Sequence, residues 1–376
     1  MRFTLFFFGS DASDGNPYDL LFEAARFADR HGFTAVWTPE RHFARFGGAF
    51  ANPAVTSAAL ASITRRIQLR SGSLISPLHD VIRIAEEWSM VDRMSGGRAA
   101  ISFGSGWNAN DFAFFPERYA RRHEVMYDQI EQLRRLWRGE PITRDAPSGP
   151  VALSLYPRPA QAELPIWVTT SGSPETYRSA ARVGANVLTH MIMQDIGQLA
   201  EKIRLYRDER AAAGLAPRAG VVSLMLHTFV GASDAKVREI VRPSFREYLR
   251  SAVKLEVAAA RSAGTVSGGL KMTGEDIPPD LVEEILDMTF DRYYQNASCM
   301  GALDTAHAAV KRFEAAGVDE IACLIDFGVA PGLVLEGLES LRQLKDRFDD
   351  DARHDGPGPH KPGPRVQPYR PHTWLP

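Results

Sequence analysis

The sequence predicts an α/β protein of the (β/α)8 (TIM) barrel class. Short apolar, β-branched or aromatic runs alternate with longer amphipathic runs about eight times along 376 residues. A barrel of this kind takes about 250 residues, and more with insertions, so the length allows one domain with an insertion and a tail. Several short runs are followed by charged, hydroxyl-bearing, aromatic or glycine residues, as expected at the face of a barrel where active sites assemble. An open doubly wound sheet has the same alternation with fewer strands. Periodicity favours the barrel without excluding the sheet.

Phe3 to Phe8 reads as the first strand. The apolar run Met1 to Gly9 is too short to cross a membrane. Pro17 to His31 reads as a helix, with Asn16 as N-cap, Pro17 in the first turn and Gly32 as its end. Thr34 to Trp37 is a second strand, and Asn52-Pro53 opens a helix through Ile63. Ile67 to Leu74 is a third strand, followed by a helix from Pro77 to Met94 that Gly96-Gly97 stops. Arg98 to Phe103 is a fourth strand and Arg118 to Arg138 a long helix. Ile166 to Thr170 and Pro174 to Val183 form the fifth pair, Ala185 to Thr189 and Asp195 to Ala213 the sixth. Val221 to Val230 is the seventh strand. Glu320 to Ile325 is the eighth, with helices Asp304 to Ala316 and Leu333 to Phe348 around it.

The barrel is expected over residues 1–350. Residues from about 234 to 301 form a mostly helical insertion after the seventh strand, with a glycine-rich hinge at Gly264 to Gly269 and a stop at Pro278-Pro279. That position lies over the C-terminal face, so a substrate lid and a packing or oligomer element are both open readings. Residues 351–376 are rich in Pro, Gly and His without apolar periodicity, as in a tail or linker.

Apolar residues make up 44% and charged residues 24%, ordinary for a globular protein, and the formal net charge is -2. No global field favours nucleic acid or an anionic membrane. Two cysteines, Cys299 and Cys323, exclude a disulfide framework and a four-cysteine zinc site, and suit a reducing cytoplasm. His354, His360 and His372 are too scattered to argue for metal. Zincin, nucleophile-elbow and complete Walker A patterns are absent.

The chemistry-bearing segments follow strands. After the second comes Trp37-Thr38-Pro39-Glu40-Arg41-His42-Phe43, then Arg45-Phe46-Gly47-Gly48. His42 is the candidate proton-handling residue, since imidazole titrates near neutrality. A surface-loop histidine is the alternative on local sequence alone. After the third strand, Ser71 and Gly72 would let a flat ring approach the backbone. His79 and Asp80 open the next helix, where Asp80 suits an N-cap. After the fourth comes Gly104-Ser105-Gly106-Trp107-Asn108. Ala109 stands where a dinucleotide fingerprint needs its third glycine, and the run follows the wrong strand for one. After the fifth, Thr170-Ser171-Gly172-Ser173-Pro174 opens a helix whose N–H groups and dipole suit a phosphate, or an ordinary cap. Arg121 and Arg122 could supply counter-charge.

Together these segments resemble the bacterial luciferase-like monooxygenase family over about residues 1–350. The carriers are Glu40-Arg41-His42-Phe43, Asn52-Pro53, Ser76-Pro77-Leu78-His79-Asp80, Met94-Ser95-Gly96-Gly97-Arg98, Gly104-Ser105-Gly106-Trp107-Asn108, Arg122 and Ser171 to Thr176. The chain looks most like the branch associated with polyketide and nonribosomal peptide assembly lines. The resemblance implies a (β/α)8 barrel using FMN, as FMNH2 supplied by a partner flavin reductase. It implies phosphate contacts from Ser171, Gly172, Ser173 and Arg122, favoured over Arg121 by its spacing to Leu136-Trp137. The flavin ring would lie across Ser71 and Gly72, where the family often has a non-prolyl cis peptide, with Ser105 and Asn108 nearby. His42 matches the catalytic position. Trp37, Trp107 and Phe112 would wall the ring, and His190 and His227 would face the substrate. The implied reaction is hydroxylation of, or oxygen insertion into, a natural-product intermediate, free or tethered to a carrier protein. A homodimer through the helices after the early strands is expected. Two alternatives stand: an F420-dependent oxidoreductase on the same barrel, and a catalytically silent flavin-binding subunit.

Overall fold

The structure is a computed structural model that describes residues 1–9, 15–43, 47–192, 194–262 and 279–354. Eight short strands built from small, aromatic and β-branched residues pair in parallel. They are β1 (Arg2–Phe6), β2 (Ala35–Thr38), β3 (Gln68–Ile75), β4 (Ala99–Gly104), β7 (Ile166–Thr169), β8 (Asn186–His190), β9 (Val222–Gly231) and β11 (Glu320–Leu324). Strands covered by helices outside and side chains inside are buried on both faces, and β2, β4 and β11 are buried at every position. β1 pairs with β2 on one side and with β11 on the other, Phe6 opposite Leu324. β11 continues to β9 and β9 to β8, so the sheet closes and the open-sheet alternative is excluded.

The outer helices are α1 (Asp19–Arg30), α2 (Pro53–Ile63), α3 (Val81–Ser95), α4 (Arg122–Arg138), α5 (Pro174–Arg182), α6 (Ile196–Ala212), α9 (Leu303–Ala315) and α10 (Pro331–His354). Their starts follow capping chemistry. Asn52 Oδ1 accepts the Ala54 N–H at 2.8 Å before Pro53, and Asp195 forms a reciprocal capping box with Gln198. Three starts come later than the sequence pattern predicts. Ser76–Leu78 form a 3-10 turn, and α3 begins at Val81 rather than Pro77. Asn16 accepts from the Tyr18 N–H, so a turn precedes α1. Residues Pro116–Arg118 form a separate 3-10 turn, and α4 begins at Arg122.

Three further strands were not anticipated. β5 (Ile142–Ala146) and β6 (Gly149–Leu153) form an antiparallel hairpin after α4. β10 (Cys299–Ala302) adds to the C-terminal half of β9, Cys299 opposite Thr228. Two helices, α7 (Asp234–Ser262) and α8 (Pro279–Asn296), follow the seventh barrel strand. Arg238, Arg242 and Arg246 of α7 pair with Asp291, Asp287 and Glu283 of α8, so repeating charges four residues apart join the two helices. The Gly264 to Gly269 hinge, Pro278, and residues 355–376 of the expected tail lie outside the described residues, while 351–354 continue α10.

Register shows which side chains fill the barrel. Arg70 lies between the Trp37 and Trp167 rings, 4.6 and 4.3 Å from them. It donates to Glu320 Oε1 at 2.7 Å and twice to Gln68 Oε1. Ser223 also donates to Glu320, and the Trp167 indole N–H to Ser223. This buried polar layer plugs the barrel below its C-terminal mouth.

Candidate active site

Where β2 ends, the chain turns and is held to its neighbour. The Glu40 N–H donates to the Ser73 carbonyl at 3.1 Å, and Glu40 Oε2 accepts the Ile75 N–H at 2.6 Å. This clamp spans the irregular stretch of β3, where Gly72–Ser73 is a non-prolyl cis peptide and the register to β4 shifts. Glu40 Oε1 faces two imidazoles, His42 Nε2 at 2.8 Å and His79 Nε2 at 2.5 Å. Burial pushes the Glu40 pKa up, but the bonds from His42, His79 and Ile75, with the His79 charge, hold it below its ordinary value. Burial pushes His79 down, and its bond to Glu40 and that carboxylate's charge raise it above the usual imidazole range.

Aromatic side chains from two loops surround His42. The Phe114 ring meets it edge-on at 5.1 Å and stacks on Phe43 at 5.5 Å. Phe43 and Phe114 are 70% and 50% exposed, so the rim beside the histidine carries apolar surface that water touches. Below the rim, burial pushes the Asp111 carboxyl upward, while His42, Arg41 and the Asn108 amide pull it back.

A second locus lies where β7 meets α5. Thr170 Oγ1 accepts the Gly172 N–H at 3.1 Å, and Ser173 opens α5 with no side-chain cap. Gly172 has φ +109, and a Cβ there would stand 3.1 Å from Lys202 Nζ. Lys202 reaches this point from α6 and donates to Gln194 Oε1 at 2.9 Å. An uncapped helix start, two hydroxyls, a bare glycine and an ammonium group form a donor set suited to a phosphate dianion. Arg122 opens α4, and its Nε donates to the Gly106 carbonyl at the exit of β4. Arg121 instead pairs with Glu124 on the exposed face.

Among the other expected site residues, some are brought to the mouth and some are not. His190 ends β8 half-buried. Its Nδ1 accepts the Ile192 N–H at 3.2 Å, which leaves Nε2 with the hydrogen, and burial pushes its pKa down to about 4. Trp107 is 47% exposed at the exit of β4, beside half-buried Ser105. Asn108 directs both ends of its amide to local partners, the Asn110 N–H and Asp111 Oδ1, as the cap of a short 3-10 turn.

Four expectations are corrected. Trp37 is fully buried, stacked on Phe6, with its indole N–H on Thr4 Oγ1, so it belongs to the barrel core and walls nothing. Phe112 is buried against Tyr119, and Phe114 takes the place beside His42. The Ser71 hydroxyl is spent within the sheet, bonding the backbone of Ser102 on β4. His227 is enclosed by Phe245, Tyr248, Tyr293 and Phe327, with Tyr293 OH 3.3 Å from Nδ1, and burial pushes its pKa down to about 3. Glu40, His79, Asp111 and Lys202 were missed. Glu40 and His79 stood in the motifs, but their meeting across 39 residues is a tertiary fact.

The family model described as luciferase-like monooxygenase matches residues 1–320. The chain belongs to that family. This luciferase-like monooxygenase is 27% identical, over 88% of its length and 90% of the other's, to the oxygenase component of the flavin-dependent trigonelline monooxygenase of Acinetobacter baylyi. Its fold matches the oxygenating constituent of 3,6-diketocamphane monooxygenase of Pseudomonas putida, solved with FMN. The TM-score is 0.71 at 17% identity, covering 91% of this chain and 97% of that one. It also matches an F420-dependent secondary alcohol dehydrogenase, with a TM-score of 0.65 at 17% identity, covering 92% and 98%. Among the described residues no helix is long and apolar enough to cross a membrane, and no cluster suits a metal ion.

Proposed function

We propose that this chain is the oxygenase component of a two-component system. It takes FMNH2 from a separate reductase and uses O2 to hydroxylate, or insert oxygen into, a natural-product intermediate, free or carrier-bound. One observation carries the reading: the mouth holds a phosphate-suited cradle at α5 and a carboxylate-held histidine at the exit of β2. The name of the trigonelline relative supports a flavin and a reductase partner.

The residues present fit the flavin. Ser171, Gly172, Ser173 and Lys202 would hold the phosphate, with Arg122 fixing the neighbouring exit of β4. When bound, the flavin supplies the oxygen-activating chemistry, which no side chain here can supply. The protein's part is to bind, orient and exclude water. Phe43, Trp107 and Phe114 supply an apolar rim that a bound substrate would cover. His42 would hold or move a proton at the reacting site, and neutral His190 would present its Nε2–H to substrate. A homodimer through the helices after the early strands would cover Met90 and Met94, exposed one turn apart on α3.

Anaerobic titration with FMNH2, reduced riboflavin and reduced F420, followed by mixing with O2, tests the reading. FMNH2 is expected to bind tightest, and the protein to change how it reoxidises. Tighter binding of F420, or reoxidation like that of free FMNH2, would overturn it.

A further inference from the structure

Glu40 serves two histidines with one oxygen. His42 Nε2 and His79 Nε2 both lie within hydrogen-bond distance of Oε1, while Oε2 is taken by the Ile75 N–H. The Glu40 side chain is wholly buried, so water offers no alternative partner. An ionised carboxylate only accepts, so both Nε2 atoms must carry hydrogen, and a neutral imidazole then keeps its lone pair on Nδ1.

The two histidines are not equivalent. His79 opens onto α3, and Glu87 adds to the pull of Glu40 while Arg118 opposes it. His79 therefore keeps its second proton to higher pH than an ordinary histidine, and its cation offsets the Glu40 charge. His42 sits beside a carboxylate that is already balanced. Its other charged neighbours are Asp111 and, through Asp111, Arg41. Among the described residues His42 Nδ1 has no hydrogen-bond partner.

We propose that Glu40 and His79 are positioning residues that hold His42 in its Nε2–H tautomer, making Nδ1 the atom that exchanges a proton with the reacting site. The proposal rests on reading His42 as the proton-handling residue. The proton balance is simple. Nδ1 accepts one proton from the reacting group and becomes an imidazolium whose Nε2–H stays on Glu40; returning that proton restores the neutral ring. Glu40 stays ionised and His79 keeps its protons throughout.

The test is ¹⁵N NMR of histidine-labelled, flavin-free protein, with His42→Gln to assign the His42 signals. The wild type should show a protonated Nε2 and a lone-pair Nδ1 at His42. In His79→Gln the full Glu40 charge faces His42, so its titration midpoint should rise. In Glu40→Gln that anion is gone, so the midpoint should fall. In the flavin-loaded enzyme Glu40→Gln should lower kcat by about 10²-fold with little change in KM, as expected for a misheld acid–base group. If Glu40→Gln does not fold, Glu40→Asp and His79→Gln still report the tautomer and the midpoint. An Nδ1–H tautomer in the wild type, or a midpoint that His79→Gln leaves fixed or lowers, would overturn the proposal. The NMR measurements need no flavin, so they fail separately from the catalytic reading, which fails if His42→Ala keeps full activity.

Discussion

Lys202→Met is the sharpest probe of the phosphate cradle. The ammonium group stands over Gly172 and has an amide oxygen of Gln194 as its partner. Among the described residues no carboxylate pairs with it. An FMN phosphate carries about -1.5 to -2 charges. Two unit charges about 4 Å apart attract by about 1 kcal/mol in water and about 4 kcal/mol near a protein surface. Lys202 is half-buried, and solvent screening discounts the upper figure. Loss of the charge should therefore weaken FMN by about 1–2 kcal/mol, or roughly five- to thirtyfold in Kd. Methionine keeps an unbranched stem of similar length, so packing changes little. Riboflavin has no phosphate and should bind both proteins alike. Calorimetric titration of the wild type, Lys202→Met and Lys202→Arg with FMN and riboflavin reads this directly. An equal loss for both ligands, or none for FMN, would refute the assignment.

Three further outcomes follow from the packing. Glu320→Ala leaves the Arg70 cation buried without its carboxylate, and should lower unfolding stability by about 3–5 kcal/mol in a denaturant titration. Gly72→Ala would put a Cβ 2.6 Å from the buried Phe6 ring, which Trp37 backs, and should cost about 1–3 kcal/mol by the same titration. Burial raises the Asp326 pKa to about 7, against the pull of the Phe8 and Gly9 N–H groups. A carboxyl raised above its unfolded value near 4 is penalised above pH 7, and that penalty lifts as pH falls from 7 towards 4. Thermal unfolding across that window should favour the wild type increasingly over Asp326→Asn at lower pH.

The barrel was legible because its strands are buried runs and its helices carry capping residues that act locally, as Asn52-Pro53, Asp80 and Asp195 do. β5, β6 and β10 were not legible. The hairpin alternates buried and exposed positions weakly, and Cys299 to Ala302 becomes a strand only because β9 offers it an edge. The site was legible as a set of strand exits but not as contacts. Trp37 ends its run in sequence, yet barrel register turns it inward against Arg70. Phe112 and Phe114 are two residues apart in one short turn, and only the folded loop decides that Phe114 meets His42. Lys202 lies mid-helix with no local signal. It matters because α5 and α6 pack side by side and bring it over Gly172.

The most direct test of the central claim is stopped-flow mixing of the anaerobic protein–FMNH2 complex with oxygenated buffer, following flavin absorbance for the wild type and His42→Ala. A flavin monooxygenase with His42 at the reacting site should reoxidise FMNH2 with kinetics unlike free flavin, and His42→Ala should change the rate by about tenfold or more. Traces for the wild type that match free FMNH2, or that His42→Ala leaves unchanged, would contradict the account.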